Sequence, residues 1–124
     1  MSSQGRGTSR GVIRLVVVSP DGGRVLARPN GLAGWLLPTI PVALPFETWT
    51  SEATERARAL LSVDVEPVRR LTPDAWEVTT AGRLTAAGNT WIGVDDAGRL
   101  GADESTVRSW AAAVRRERGD AAEG

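Results

Sequence analysis

Two spacings of apolar residues organise this chain, and each predicts its own kind of element. VIRLVVV, Val12 to Val18, is a β-branched run that predicts a strand. SPDGG follows as a turn signal and RVLAR, Arg24 to Arg28, as a second strand, so the pair reads as a hairpin. RPNGLAG reads as a loop. Trp35-Leu36-Leu37 is short, apolar and stopped by Pro38, and Thr39 to Leu44 is extended, with Pro41 and Pro45 limiting it to an edge or irregular segment. The period then changes. Trp49, Ala53, Ala57, Leu60 and Leu61 recur at helical spacing and predict a helix over 48–61. Glu52 and Arg56 make an i,i+4 pair on its polar side, and Thr48, Thr50 or Ser51 caps its start.

Beyond the helix, VDVEPVRRL reads as a strand with an irregularity at Pro67. WEVT, Trp76 to Thr79, predicts another, and the segment Leu84 to Asp95 holds a further strand around TWIGV. A second helix is expected from a cap at Asp103 to about Arg118, with Val107, Trp110, Ala111 and Val114 as its apolar stripe and Glu104–Arg108 as an i,i+4 pair. Residues 1–10 are rich in Gly, Ser and Arg and read as a disordered tail; the domain spans 11–118, and 119–124 should fray. The order β-β-β-α-β-β-β-α, with its helices separated by several strands, predicts an α+β domain with a helix on each side of a curved mixed sheet.

Composition narrows the chemistry. The chain of 124 residues has 15 basic residues, all Arg, balanced by 15 acidic ones. Near-zero net charge argues against nucleic acid or an anionic membrane as partner. Cys, His and Tyr are absent, and so is Lys. Disulfides, thiolate nucleophiles, Cys/His zinc sites, a Ser-His-Asp triad and a Walker-type lysine are therefore excluded. Acid–base or metal chemistry would rest on Asp and Glu. No apolar run reaches the length of a membrane span and the first residues lack a signal-peptide core, so the expectation is a cytoplasmic protein without a cofactor.

The element order and the central segment resemble the Nudix hydrolase family. The likeness covers about Gly11 to Arg118: the opening hairpin, the WLLP approach at Trp35 to Pro38, and the strand and helix that follow the central helix. The family's box is G-x5-E-x7-R-E-U-x-E-E-x-G-U, with U a bulky aliphatic residue. Laid on this chain without a gap, it puts Pro41 at the first glycine and Glu47 at the first glutamate. Glu55 then stands at the arginine, Arg56 at the next glutamate and Ala57 at the aliphatic place. Ala59 and Leu60 take the paired glutamates, Ser62 the second glycine and Val63 the last aliphatic. In the family Gly-Gly often follows the Pro directly, which would put the first glycine at Ile40.

The resemblance implies an α/β/α sandwich whose box glutamates gather Mg²⁺ or Mn²⁺ from one helix face. Hard cations need several oxygen ligands. Here Arg56 repels a cation, and Ala59 and Leu60 offer no lone pair. No catalytic residue and no metal ligand set is expected. The expected function is a catalytically inactive, Nudix-like protein-interaction or regulatory module, with a homodimer as one form of it. A sensor for a nucleotide or related phosphate stays open, with Arg28, Glu47, Trp76 and Trp91 as candidate ligand-binding residues. So does a metal-dependent hydrolase rebuilt on Glu47, Glu52, Glu55 and an Asp elsewhere. Arg115, Arg116 and Arg118 form a basic cluster that the dipole of the last helix explains. Asp95, Asp96, Asp103 and Glu104 are accounted for by turn and cap chemistry.

Overall fold

A computed structural model describes residues 10–19, 22–29, 34–80 and 89–123, the side chains of 10 and 118–123 excepted. Within these, the β-branched opening run forms β1 (Arg10–Val17), which starts two residues before the predicted strand and ends one residue before it. Four further strands were expected in some form and are present: β2 (Arg24–Pro29), β5 (Val65–Thr72), β6 (Ala75–Thr80) and β7 (Thr90–Gly93). The apolar segment after the loop is split by Pro38 into β3 (Trp35–Leu36) and β4 (Thr39–Ala43), so four strands precede the first helix where three were predicted. Positions 20–21, 30–33 and 81–88, where the hairpin turn, the RPNGLAG loop and the lead into TWIGV were read, lie outside the described residues, as do residues 1–9 of the predicted tail.

The first helix, α1 (Ser51–Leu61), starts three residues later than the apolar stripe suggests. Thr50 is extended and its hydroxyl accepts the Ala53 N–H at 3.1 Å, which fixes the start there. Trp49 therefore precedes the helix, although it still packs on the same core cluster. The second helix, α2 (Glu104–Glu123), runs five residues past the expected end. A 3₁₀ segment, Val94–Asp103, leads into it, interrupted at Gly101, whose φ of 59° favours glycine.

The strands make two sheets in place of one: a four-stranded mixed sheet in the order β4-β1-β6-β5 and a three-stranded sheet in the order β3-β2-β7. β1 runs parallel to β6 and antiparallel to β4. Between β1 and β2 the only pairing among the described residues is the isolated bridge Val18↔Val25, so the hairpin opens away from its turn and the sheets part.

Alternation along β1 and β2 then sorts the core into two clusters. Ile13, Leu15 and Val17 of β1 and Leu26 of β2 pack with Ala53, Ala57 and Leu61 of α1. Val16, Val18, Val25 and Ala27 pack with Val107 and Trp110 of α2 and with Leu37, Ile92, Ala97 and Leu100. The molecule is an α+β fold with one helix on each side of the strands. Each fully buried Leu, Ile or Val stabilises by roughly 1.5–3 kcal/mol relative to exposure. Neither cluster is an annex: both contain side chains with no solvent exposure.

Two Arg-centred clusters fasten α2. Arg14 on β1 holds Asp74, in the β5–β6 turn, through Nη1 at 2.8 Å and Asp103 through Nε at 2.9 Å. Asp103 is buried, and its other oxygen accepts the Leu37 N–H at 2.9 Å. The expected cap residue is thus a cross-link between β1, the β3–β4 connection and the start of α2. Near the other end of α2, Arg69 on β5 pairs with buried Glu77 on β6 at 2.8 Å and with Glu117 on α2. The hydrogen bond from Arg69 holds the Glu117 carboxyl below the usual carboxylate range, and Glu117 in turn raises the Arg69 guanidinium, with burial opposing and Glu77 adding to it.

Candidate functional site

The segment from Gly34 to Val63 carries the box positions, whereas the candidates Arg28, Trp76 and Trp91 lie outside it. Its first part is not a loop. Pro41, at the first glycine of the box, sits in β4 opposite Val12, and Ile40 is buried opposite Ile13. Leu44 is 45% exposed and lies over Gly11, where an added Cβ would stand 3.1 Å from the Leu44 side chain. Phe46 turns inward, and Glu47 is exposed just before the helix.

On α1, Ala57 is buried at the aliphatic place, Arg56 is paired with Glu52 at 3.4 Å, Ala59 is exposed and Leu60 packs on the core. Glu55 is exposed on the opposite flank from the buried Ala53 and Ala57. Ser62 closes the helix with φ 63° and ψ 24°, and its N–H donates to the Arg58 carbonyl at 2.7 Å. This is the left-handed cap position that glycine normally fills. Among the described residues no group of three or more acidic side chains is placed to hold a metal ion.

None of the clefts described below is lined by more than one of the candidate ligand residues. Trp76, half-buried on β6, is engaged by aromatic neighbours: its ring centroid lies 5.5 Å from Trp49 and 6.1 Å from Phe46. Trp49 in turn donates its indole N–H to Thr54 Oγ1 at 2.6 Å. The Trp76 indole nitrogen is buried and has no hydrogen-bond partner among the described residues. Arg28 and Trp91 belong instead to the smaller sheet. Leu26 faces Trp91 across the β2–β7 ladder, and by alternation Arg28 shares that face, the side of α1. Arg28 forms no ion pair or side-chain hydrogen bond with another described residue. Arg118 of the basic cluster lies outside the described side chains, whereas Arg115 and Arg116 are exposed.

Among the described residues, three clefts border these elements. One of about 550 Å³ is lined by Leu44, Pro45, Phe46, Glu47, Arg70 and Pro73, and is an apolar groove with one charge of each sign on its rim. A second, of about 390 Å³, opens beside Arg24, Trp91, Gly93, Asp95 and Asp96. The third, of about 270 Å³, lies against α2 at Trp110, Val114 and Arg115. The first joins Glu47 to residues that the sequence did not single out, Arg70 and Pro73. Arg70 was read only as part of the strand VDVEPVRRL, and Pro73 lay between that strand and WEVT; neither position says which loop it faces.

No helix among the described residues is long and apolar enough to cross a membrane. No protein-family model matches the chain, and no curated protein sequence matches it.

Proposed function

We propose that this chain is a Nudix-like domain that works by binding a protein partner and has lost the hydrolytic site of the family it resembles. The observation that carries this is the state of α1. At two of the places where the resemblance calls for glutamates, Leu60 is half-buried against the core and Arg56 is paired with Glu52. Freeing that face for divalent cations would expose an apolar side chain and still leave a guanidinium beside the metal. The box frame itself draws support from Ser62. The frame assigns it the second glycine, and it holds the left-handed conformation for which glycine is suited. The layering of helix, strands and helix is consistent with the α/β/α sandwich that the resemblance implies.

Protein binding is favoured by the groove at Leu44–Glu47. Exposed Leu44 and Pro45 beside Pro73 give it apolar walls, and Glu47 and Arg70 can orient a partner from its rim. A second reading has its own observation: Arg28, without a charged partner among the described residues, on one face with Trp91, suits an anion carrying a ring. Thermal-shift titration separates the two. A nucleotide or phosphate that binds only the folded state raises the midpoint once its concentration exceeds its Kd. The protein-binding reading expects no such shift, and a partner of fixed stoichiometry whose binding Leu44→Asp abolishes. A saturable shift with a nucleotide, lost in Arg28→Ala, would overturn it in favour of the ligand sensor.

A further inference from the structure

The backbone directions in the four-stranded sheet place a proline at an outward-facing position on each edge. In β1, the Arg14 N–H donates to the Asp74 carbonyl at 2.8 Å, toward β6, and the Leu15 N–H donates to the Pro38 carbonyl at 2.8 Å, toward β4. Even positions of β1 therefore bond to β6 and odd ones to β4. On β4, Ile40 and Val42 face the odd positions Ile13 and Gly11, so their backbone groups turn inward. Thr39, Pro41 and Ala43 face Arg14, Val12 and Arg10, so theirs turn away from the sheet. The middle one of these three has no N–H.

The same construction appears at the other edge. The Val18 N–H donates to the Val78 carbonyl at 3.1 Å, so Val78 bonds toward β1. Its partner on β5 is Pro67, which accordingly faces outward, and the register shifts immediately after it, between Pro67 and Arg69. In the smaller sheet the outer strands are short, β3 with two residues and β7 with four.

We propose that Pro41 and Pro67 guard the two edges of this sheet against strand addition by a second copy of the chain. The guard is needed most at β4. It is a regular five-residue strand with exposed Val12 beside it, and among the described residues no strand pairs with its outer side. Two copies meeting antiparallel along β4 would exchange bonds at Thr39 and Ala43 but find no donor at the centre. Association of this domain then runs through a groove or a face and not through the sheet edge. This inference does not depend on the binding function proposed above; it follows from the ladder alone.

The test compares Pro41→Val with Ala43→Val by sedimentation velocity over a wide concentration range, with far-UV circular dichroism to verify that each variant is folded. Both substitutions put the same β-branched side chain at an exposed, outward-bonding position of one strand. Only the first adds an N–H. Pro41→Val supplies one new donor from each copy, two hydrogen bonds per dimer, which corresponds to self-association at least about tenfold tighter than the parent. Ala43→Val should stay within about twofold of the parent, since it adds no donor and only a small apolar area. In the associated Pro41→Val protein the new amide at position 41 should also exchange slowly with solvent. Equal association of the two variants would mean that added apolar surface is responsible, and would overturn the proposal. So would a folded Pro41→Val variant that associates no more tightly than the parent.

Discussion

Asp103 offers the sharpest test of how the α2 side is held. Its carboxylate does two separable things: one oxygen accepts the Leu37 N–H at 2.9 Å, and the other pairs with Arg14 Nε at 2.9 Å. Asp103→Ala removes both. Leu37 is buried with no exposure, so its amide is left without an acceptor at a cost of about 1–3 kcal/mol. The lost ion pair adds less. Arg14 is 36% exposed and keeps Asp74, so this part is discounted to about 1 kcal/mol or below. The total is about 1–4 kcal/mol, a large share of the stability of a small domain. Asp103→Asn keeps an oxygen for Leu37 but puts an NH2 where Arg14 had its acceptor, so it loses the ion pair and should cost about 1 kcal/mol. Urea unfolding followed by tryptophan fluorescence gives both values from the midpoint and slope. The difference between the variants isolates the amide hydrogen bond. Equal losses for Ala and Asn would refute this division and make the charge the dominant contribution. A loss below about 0.5 kcal/mol for Ala would refute the cross-link itself.

Two further outcomes are expected. Ser62→Gly should stabilise the chain by roughly 0.5–1 kcal/mol, because relief of the left-handed conformation outweighs the added freedom of the unfolded chain; a lower denaturation midpoint would contradict this. Glu117, held below the ordinary carboxylate range by Arg69, contributes stability that is present above the unfolded glutamate pKa and lost as pH falls through its lowered folded value. Glu117→Gln should therefore flatten the acid limb of a stability–pH curve slightly and leave its shape near neutrality unchanged; a change confined to neutral or alkaline pH would contradict the assignment.

The elements whose signal is local were legible in the chain. The stripe of Ala53, Ala57, Leu60 and Leu61 marked α1, the stripe of Val107, Trp110, Ala111 and Val114 marked α2, and Pro67 marked the irregularity in β5. Their common feature is that spacing or a single residue's backbone chemistry decides the outcome. Trp49 shows where that fails: it lies at helical spacing from Ala53, yet the Thr50 cap starts the helix after it. Contacts between distant parts of the chain had no such signal. Arg14 and Asp103 looked like a strand residue and a cap, and their pairing depends on how α2 is laid against β1. Trp76 was open to ligand stacking in the sequence, and it is the approach of Phe46 and Trp49 that occupies its ring. Pro41 was legible as an edge residue. Which way its backbone faces required the register with β1.

The proposed function holds that α1 supports no metal-dependent hydrolysis. The direct measurement is turnover of a panel of nucleoside diphosphate derivatives by the purified chain with Mg²⁺ or Mn²⁺, beside Glu47→Gln. The account predicts no metal-dependent product above the no-protein rate, and no difference between the two proteins. Turnover that saturates with metal and disappears in Glu47→Gln would contradict it, and would mean that a cation site is assembled around Glu47 despite Arg56 and Leu60.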